Sequence, residues 1–333
     1  MPSWGEILKE VVSLRTPDNP LPFDQVRHKY LAQLQRHTNR NTILYATNWT
    51  QSKGIPGELV SITMGDVEGF MEAFHGLKGS QLDIILHCPG GTLEAVEALV
   101  SYMRAKFDDV RVIVPPAAMS AATLLACGAN RIVMGKHSFL GPIDPQFFVQ
   151  TQVGPLAVPA QAILDQFDLA RTECQDPKLL GAWIPILGQY GPALLIQCRS
   201  ALKLSRELAA AWLERDMFQG RPSAHQEAES AAARLTDHAF FKSHGRPIPR
   251  DLAKQIGLTV DSLEDDQVLQ DLVLSVYHAT SITFDGTPTA KIIENHAGKA
   301  FIKRYQQIVA TIPPPAKTAQ PIETPPEKPK SEA

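Results

Sequence analysis

The sequence predicts an α/β protein of repeated βα units around a parallel sheet, with helical additions at both ends. Three observations predict it. Short apolar runs at 82–88, 110–114 and 131–134 have the length of strands buried on both faces. Between them lie stretches of helical period. Leu93, Val96, Leu99, Val100 and Met103 fall at i, i+3, i+4 spacing, and 121–128 is a run of small and apolar residues. Pro89-Gly90-Gly91-Thr92 and Pro115-Pro116 end the first two runs, so strand and helix alternate in the manner of parallel crossovers.

From the start of the chain, residues 5–37 read as helical. Val26, Tyr30, Leu31 and Leu34 share one face, fit for packing or subunit contact. Residues 42–49 are a first strand. Gly65-Asp66 opens a helix with Val67, Phe70, Met71 and Phe74 on its apolar face, which completes a βα unit ahead of the central stretch. Beyond Gln146 the period turns helical. Residues 160–174 follow a loop rich in Gly and Pro, and 192–218 carries Leu194, Leu195, Ala201, Leu204, Leu208 and Trp212 as its apolar positions. Residues 312–333 are a Pro/Lys/Glu/Thr tail without apolar periodicity, the composition of a disordered segment. The expected division is a helical segment over 1–40, one domain over 41–310 and a tail over 311–333.

Net charge near -3 and a pI of 6.4 argue against an extended nucleic-acid surface, which needs a basic face. Cys88, Cys127, Cys174 and Cys198 lie far apart and show no zinc-type spacing, which fits reduced thiols in a cytoplasmic protein. Glu6, Lys9 and Glu10 interrupt any leader-like apolar run. No stretch reaches the roughly 18 uncharged apolar residues of a membrane span.

The chemistry is suggested at the two turns. Gly90-Gly91 ends a strand, where glycine can expose backbone N–H groups. Ser120 stands at a helix start, where unpaired N–H groups and the helix dipole favour a developing negative charge. A serine beside such donors is what acyl transfer needs, a nucleophile and a hole for the oxyanion. The plainer reading is that Ser120 is a helix N-cap and the glycines are punctuation. Asp144, between Pro142 and Pro145, has a stiff backbone and either orients a base or caps the next element. Lys203 lies close to the apolar stripe of 192–218, and a lysine serves as base only where burial depresses its pKa. His244, in the turn Lys242-Ser243-His244-Gly245-Arg246, is the rival base, since histidine titrates near neutrality unaided. His238 and His137 are lesser candidates.

Pro89-Gly90-Gly91, the Val114-to-Ser120 run through Ala118-Met119, and Leu140-Gly141-Pro142-Ile143-Asp144-Pro145-Gln146 together resemble the serine dehydrogenase proteinase (SDH) family. These are serine peptidases of the Clp/crotonase fold, related to signal peptide peptidase A. The resemblance covers 80–150 closely and 40–305 more loosely. It implies a Clp/crotonase-like fold, Ser120 as nucleophile, and an oxyanion hole from the N–H groups of Gly91 and Ala121, with Gly90 in the same turn. It also implies Lys203 as preferred base, matched in the run from Leu195-Ile196, with His244 second. Where the family has Gly-Gly after its serine, this chain has Ala121-Ala122. A peptide or protein substrate and a homo-oligomer are implied, and no metal or organic cofactor. Two alternatives stand beside this reading. One is a crotonase-type acyl-CoA enzyme using Glu94 or Glu97 as base. The other is a non-catalytic assembly scaffold that keeps the fold.

Overall fold

The computed structural model describes residues 2–51, 54–151 and 154–305. The chain opens with α1 (Trp4–Ser13), started by a reciprocal cap. The Ser3 hydroxyl accepts from the Glu6 N–H, and the Glu6 carboxylate accepts from the Ser3 N–H at 2.6 Å. Helix α2 (Phe23–Thr38) buries Val26, Leu31 and Leu34 on the face that the apolar spacing defines, and stops at Asn39 in the left-handed region. Then come β1 (Asn41–Thr47), α3 (Gly57–Val60), α4 (Asp66–Phe74), β2 (Gln81–His87), α5 (Leu93–Lys106), β3 (Asp109–Val114), β4 (Ala117–Ala118), α6 (Ala121–Cys127), β5 (Arg131–Met134) and β6 (Phe139–Leu140). Thr92 caps α5 by accepting from the Ala95 N–H.

An arm follows, made of hairpin β7 (Gln146–Thr151) and β8 (Gly154–Pro159), then α7 (Ala160–Glu173), α8 (Leu180–Leu187) and α9 (Leu194–Trp212). Residues 146–151 and 154–159, expected as loop, are thus strands that pair with each other alone. The first half of α9 packs on α7 in a small separate cluster around Ile163 and Cys198, whereas Ala209, Ala210 and Trp212 join the main core. A π-turn, Leu213–Met217, ends α9. The remaining elements are α10 (Ala224–Leu235), α11 (His238–Phe241), β9 (Ile248–Pro249), α12 (Arg250–Ile256), β10 (Val260–Ser262), α13 (Gln267–Gly286), β11 (Thr289–Asn295) and β12 (Ala300–Arg304). The tail expected over 311–333 lies outside the described residues.

The main sheet runs β10-β5-β3-β2-β1-β11-β12. It is parallel from β10 to β1, and an antiparallel pair, β11 and β12, closes its far edge. The fold is therefore the α/β class that the sequence predicts, with a mostly parallel central sheet. Both faces are covered, which is why the central strands read as unbroken apolar runs. Ile43, Ile84, Leu86, Val112 and Ile132 face α4, α5 and α6; Leu44, Ile85, Ile113, Val133 and Ile292 face α2 and α13. Met71, expected on the apolar face of α4, is exposed, while Phe70 and Phe74 are buried. A second sheet, β4-β6-β9, is small but decides the geometry of the site. Strands β4 and β6 run parallel, with β9 antiparallel to β6.

At the end of β2, His87 is buried between the rings of Trp49 and Tyr277, at centroid distances of 5.5 and 5.3 Å. Burial pushes its pKa from the ordinary 6.5 down to about 4. Between those values the unfolded chain binds the proton better, so acidification favours unfolding. The contribution of neutral His87 is complete above about pH 6.5 and is lost as pH falls toward 4, an effect of roughly 3 kcal/mol. His87→Phe keeps a ring in place but cannot titrate. Urea midpoints measured from pH 7 to 4 should fall less steeply in this variant than in the wild type.

Candidate active site

Ser120 stands two residues beyond β4 and immediately before α6. Its backbone has φ 52 and ψ -119, a region that costs a side-chain-bearing residue about 1–3 kcal/mol. The hydroxyl makes no capping hydrogen bond to the helix it precedes, so the N-cap reading of this serine does not hold. The strain is held by the turn's surroundings. The Thr123 hydroxyl lies 2.8 Å from the Ala118 carbonyl and 3.0 Å from the Gly141 N–H, tying β4 to the loop after β6.

Gly90 and Gly91 are needed for two different reasons. Gly90 has φ 111, and a Cβ there would come within 2.9 Å of both the Ala121 nitrogen and the Ser120 Cβ. A Cβ on Gly91 would overlap the backbone of Ile62. Ile62 clamps the turn from that side, donating its N–H to the Gly90 carbonyl at 2.7 Å and accepting from the Thr92 N–H at 3.1 Å. These bonds pass on either side of Gly91 and leave its own N–H without a partner among the described residues. The Ala121 N–H, in the first turn of α6, is likewise unpaired there, as the first N–H groups of any helix are.

The segment carrying Ile62 is braced in turn. Lys291 of β11, fully buried, donates to the Ser61 carbonyl at 2.7 Å and to both oxygens of Asp66 at 2.7 and 2.6 Å. Asp66 also accepts from the Thr63 N–H and the Tyr45 hydroxyl, each at 2.9 Å. Sequence reasoning missed this pair. Burial lowers the Lys291 pKa, and Asp66 opposes the shift.

Asp144 is only 2% exposed. It follows β6 by four residues, and His244 precedes β9 by four, so the two continue the antiparallel register that pairs Leu140 with Ile248. His244 Nδ1 contacts Asp144 Oδ1, and His238 Nδ1 lies 3.1 Å from Oδ2. A carboxylate oxygen accepts, so in this pairing each Nδ1 is the donor. Since β4 and β6 are parallel and β9 is antiparallel, Ser120, Asp144 and His244 lie at one end of three adjacent strands. Gly141 packs against Met119, so the chain leading to Asp144 runs alongside the residue before Ser120.

Lys203 departs from expectation. It was to sit against the apolar stripe of its helix, where burial would lower its pKa. Its side chain is instead 76% exposed and 3.6 Å from Glu207, because this part of α9 belongs to the arm and leaves the main core. Glu94 and Glu97 point away from the core of α5 and are exposed. His137 is also exposed, in the turn after β5. Cys88 and Cys127 are fully buried, and burial pushes each thiol up to about 12, which makes them inert packing residues.

Two stability measurements test this local account. Ser120→Gly relieves the backbone strain and should raise unfolding stability by about 1 kcal/mol, whereas Ser120→Ala, equally strained, should be close to neutral. Lys291→Met leaves Asp66 buried with only Lys303, 3.4 Å from Oδ1, as a cation and should cost about 3–5 kcal/mol, read by urea denaturation.

Residues 24–180 match the model of a family described as ClpP-like SDH-type serine proteinases. Two uncharacterized proteins of Methanocaldococcus jannaschii are similar over longer stretches. One is 27% identical over 245 residues, covering 73% of this chain and 76% of the relative. The other is 26% identical over 202 residues, covering 60% of this chain and 59% of the relative, so the chain spans less than two thirds of that protein. Among solved structures, an alanine variant of the 1510-N membrane-bound stomatin-specific protease is similar at 16% identity and a TM-score of 0.34, over 64% of this chain and 79% of that one. A second alanine variant of that protease, in complex with a substrate peptide, gives 18% identity and a TM-score of 0.35, over 63% and 74%. No described helix is long and apolar enough to cross a membrane. Over residues 24–180, the stretch that holds Gly90-Gly91, Ser120 and Asp144, the chain matches the ClpP-like SDH-type serine proteinases.

Proposed function

We propose that the chain is a serine peptidase that cleaves peptide bonds through an acyl-enzyme on Ser120, with His244 as general base. The observation that carries this reading is the common end of the small sheet at which Ser120, Asp144 and His244 lie, beside a glycine turn with an unpaired N–H. His244 Nε2 takes the Ser120 Oγ proton as Oγ bonds to the carbonyl carbon and the carbonyl π electrons move onto oxygen. Asp144, on Nδ1, holds the tautomer and stabilises the imidazolium. The Gly91 and Ala121 N–H groups receive the oxyanion, where one such donor is worth a rate factor of about 10² to 10³. Collapse breaks the C–N bond, and the leaving amine takes the proton from Nε2. Water then adds to the ester carbonyl and gives a proton to Nε2, and collapse breaks the C–Oγ bond as Nε2 passes that proton to Ser120 Oγ.

A crotonase-type reaction needs a carboxylate base at the oxyanion hole, and the exposure of Glu94 and Glu97 speaks against it. The lysine base is disfavoured by the solvation of Lys203. The same proposal includes a cytoplasmic location and a homo-oligomer. The arm exposes Phe148 at 81%, Ile184 at 65% and Ile196 at 60%, apolar surface that a second copy would cover. Sedimentation at micromolar concentration should then give a species larger than the monomer.

A fluorophosphonate probe tests the nucleophile and, with peptide turnover, the base. It should label the wild type and spare Ser120→Ala. His244→Gln should lower turnover by about 10² to 10⁴, while Lys203→Arg, a change at an exposed ion pair, should stay within about fivefold of wild type. Failure of the probe to label the wild type would favour the scaffold, and equal labelling of a folded Ser120→Ala would remove Ser120 as the nucleophile. A dead Lys203→Arg with an active His244→Gln would return the base to Lys203.

A further inference from the structure

The proposed mechanism uses one of the two imidazoles on Asp144 and leaves the other without a task. We infer that His238 is a positioning residue: by donating to Asp144 Oδ2 it fixes the carboxylate, so that Oδ1 is held for His244, an inference that rests on the serine peptidase reading above.

The argument begins with the burial of Asp144. A carboxyl group only 2% exposed needs donors, because each lone pair taken from water and left unmet is costly. Among the described residues no backbone N–H donates to it. Its partners are His244 on Oδ1, His238 on Oδ2 at 3.1 Å, and the Gln146 amide at a long 3.4 Å from Oδ2. Without His238, Oδ2 keeps only the Gln146 contact, and nothing strong opposes rotation of the carboxylate out of line with His244.

Both histidines come from one short loop whose shape is fixed independently of Asp144. The Asp237 side chain caps α11 by accepting from the Phe240 N–H at 2.9 Å, and the Lys242 N–H closes the turn on the His238 carbonyl at 2.7 Å. Arg246 donates to the Phe240 carbonyl at 2.9 Å, and the Arg234 guanidinium stacks on the Phe240 ring at 3.7 Å. The loop therefore presents two imidazoles at a set separation to the two oxygens of one carboxylate. The division of labour follows from access. The His238 side chain is 15% exposed and that of His244 33%, and the base must be the one a substrate reaches.

The test is steady-state kinetics on a peptide, with fluorophosphonate labelling rates alongside. His238→Ala should lower kcat by about ten- to a hundredfold with KM unchanged, as a misoriented base does, and should slow labelling by the same factor. His238→Asn, whose amide nitrogen overlays Nδ1, should recover most of the loss. Should His238→Ala not fold, His238→Gln, which fills the site but offers its amide at the Nε2 place, takes its role. Wild-type kcat in the Ala or Gln variant overturns the inference. A raised KM with intact kcat, or an Asn variant as impaired as the others, does the same. A dead His238→Asn beside an active His244→Asn exchanges the two roles and also overturns it. Turnover by a folded Ser120→Ala strikes the peptidase reading itself and is read out separately.

Discussion

The ion pair between Lys291 and Asp66 is the constraint on which the site's geometry rests. Both charges are fully buried, and taking such ions out of water costs several kcal/mol each unless every valence is met. Here the valences are met by the Ser61 carbonyl, the Thr63 N–H and the Tyr45 hydroxyl, and the first two belong to one short segment. The pair thus grips residues 61 and 63 and leaves Ile62 between them to clamp Gly90 and Thr92. A glycine turn alone would sample many conformations, since glycine loses more freedom on folding than any other residue. Bracing it from a buried charge pair gives the Gly91 N–H a fixed direction, which is what the proposed oxyanion hole would require.

Strain at Ser120 follows the same logic from the other side. Its φ of 52 is unfavourable for serine in isolation, yet the close approach of Gly90 and the Thr123 bridge to Gly141 leave the chain no relaxed alternative. The backbone of this turn was chosen by its neighbours, and the hydroxyl is thereby kept off the helix N-terminus that it would otherwise cap.

The parallel core was legible because strands covered on both faces must be apolar throughout, and runs such as 82–88 and 110–114 satisfy that rule without help from distant residues. Gly90-Gly91 and Ser120 were legible because turn chemistry is local. What the sequence hid was burial achieved by pairing. Strand β11 reads Thr-Ala-Lys-Ile-Ile-Glu-Asn, and its Lys291 and Glu294 look like surface residues until Asp66 and Arg27 are known to meet them. Strands β7 and β8 were hidden by their prolines and glycine, which signal loops unless a two-stranded ribbon lies off the main sheet. Lys203 was misjudged because Leu202 and Leu204 flank it. An apolar period says which residues face together but not whether a core lies opposite, and α9 outruns the core that buries its second half. The partnership of His238 with Asp144 depends on a loop that returns from far along the chain, beyond the reach of any periodicity.

The small sheet β4-β6-β9 also sets an order in time. Asp144 and His244 are 100 residues apart, and β9 docks only after the arm and α10 have been made. A ribosome extending this chain releases Ser120, its helix and the glycine turn long before His244. On the proposed assignment, a nascent or prematurely terminated product carries a nucleophile with no base, and so stays silent toward its neighbours. On that assignment, wiring the base through a late strand builds a delay into synthesis, and hydrolytic capacity would follow only once nearly the whole domain is in place.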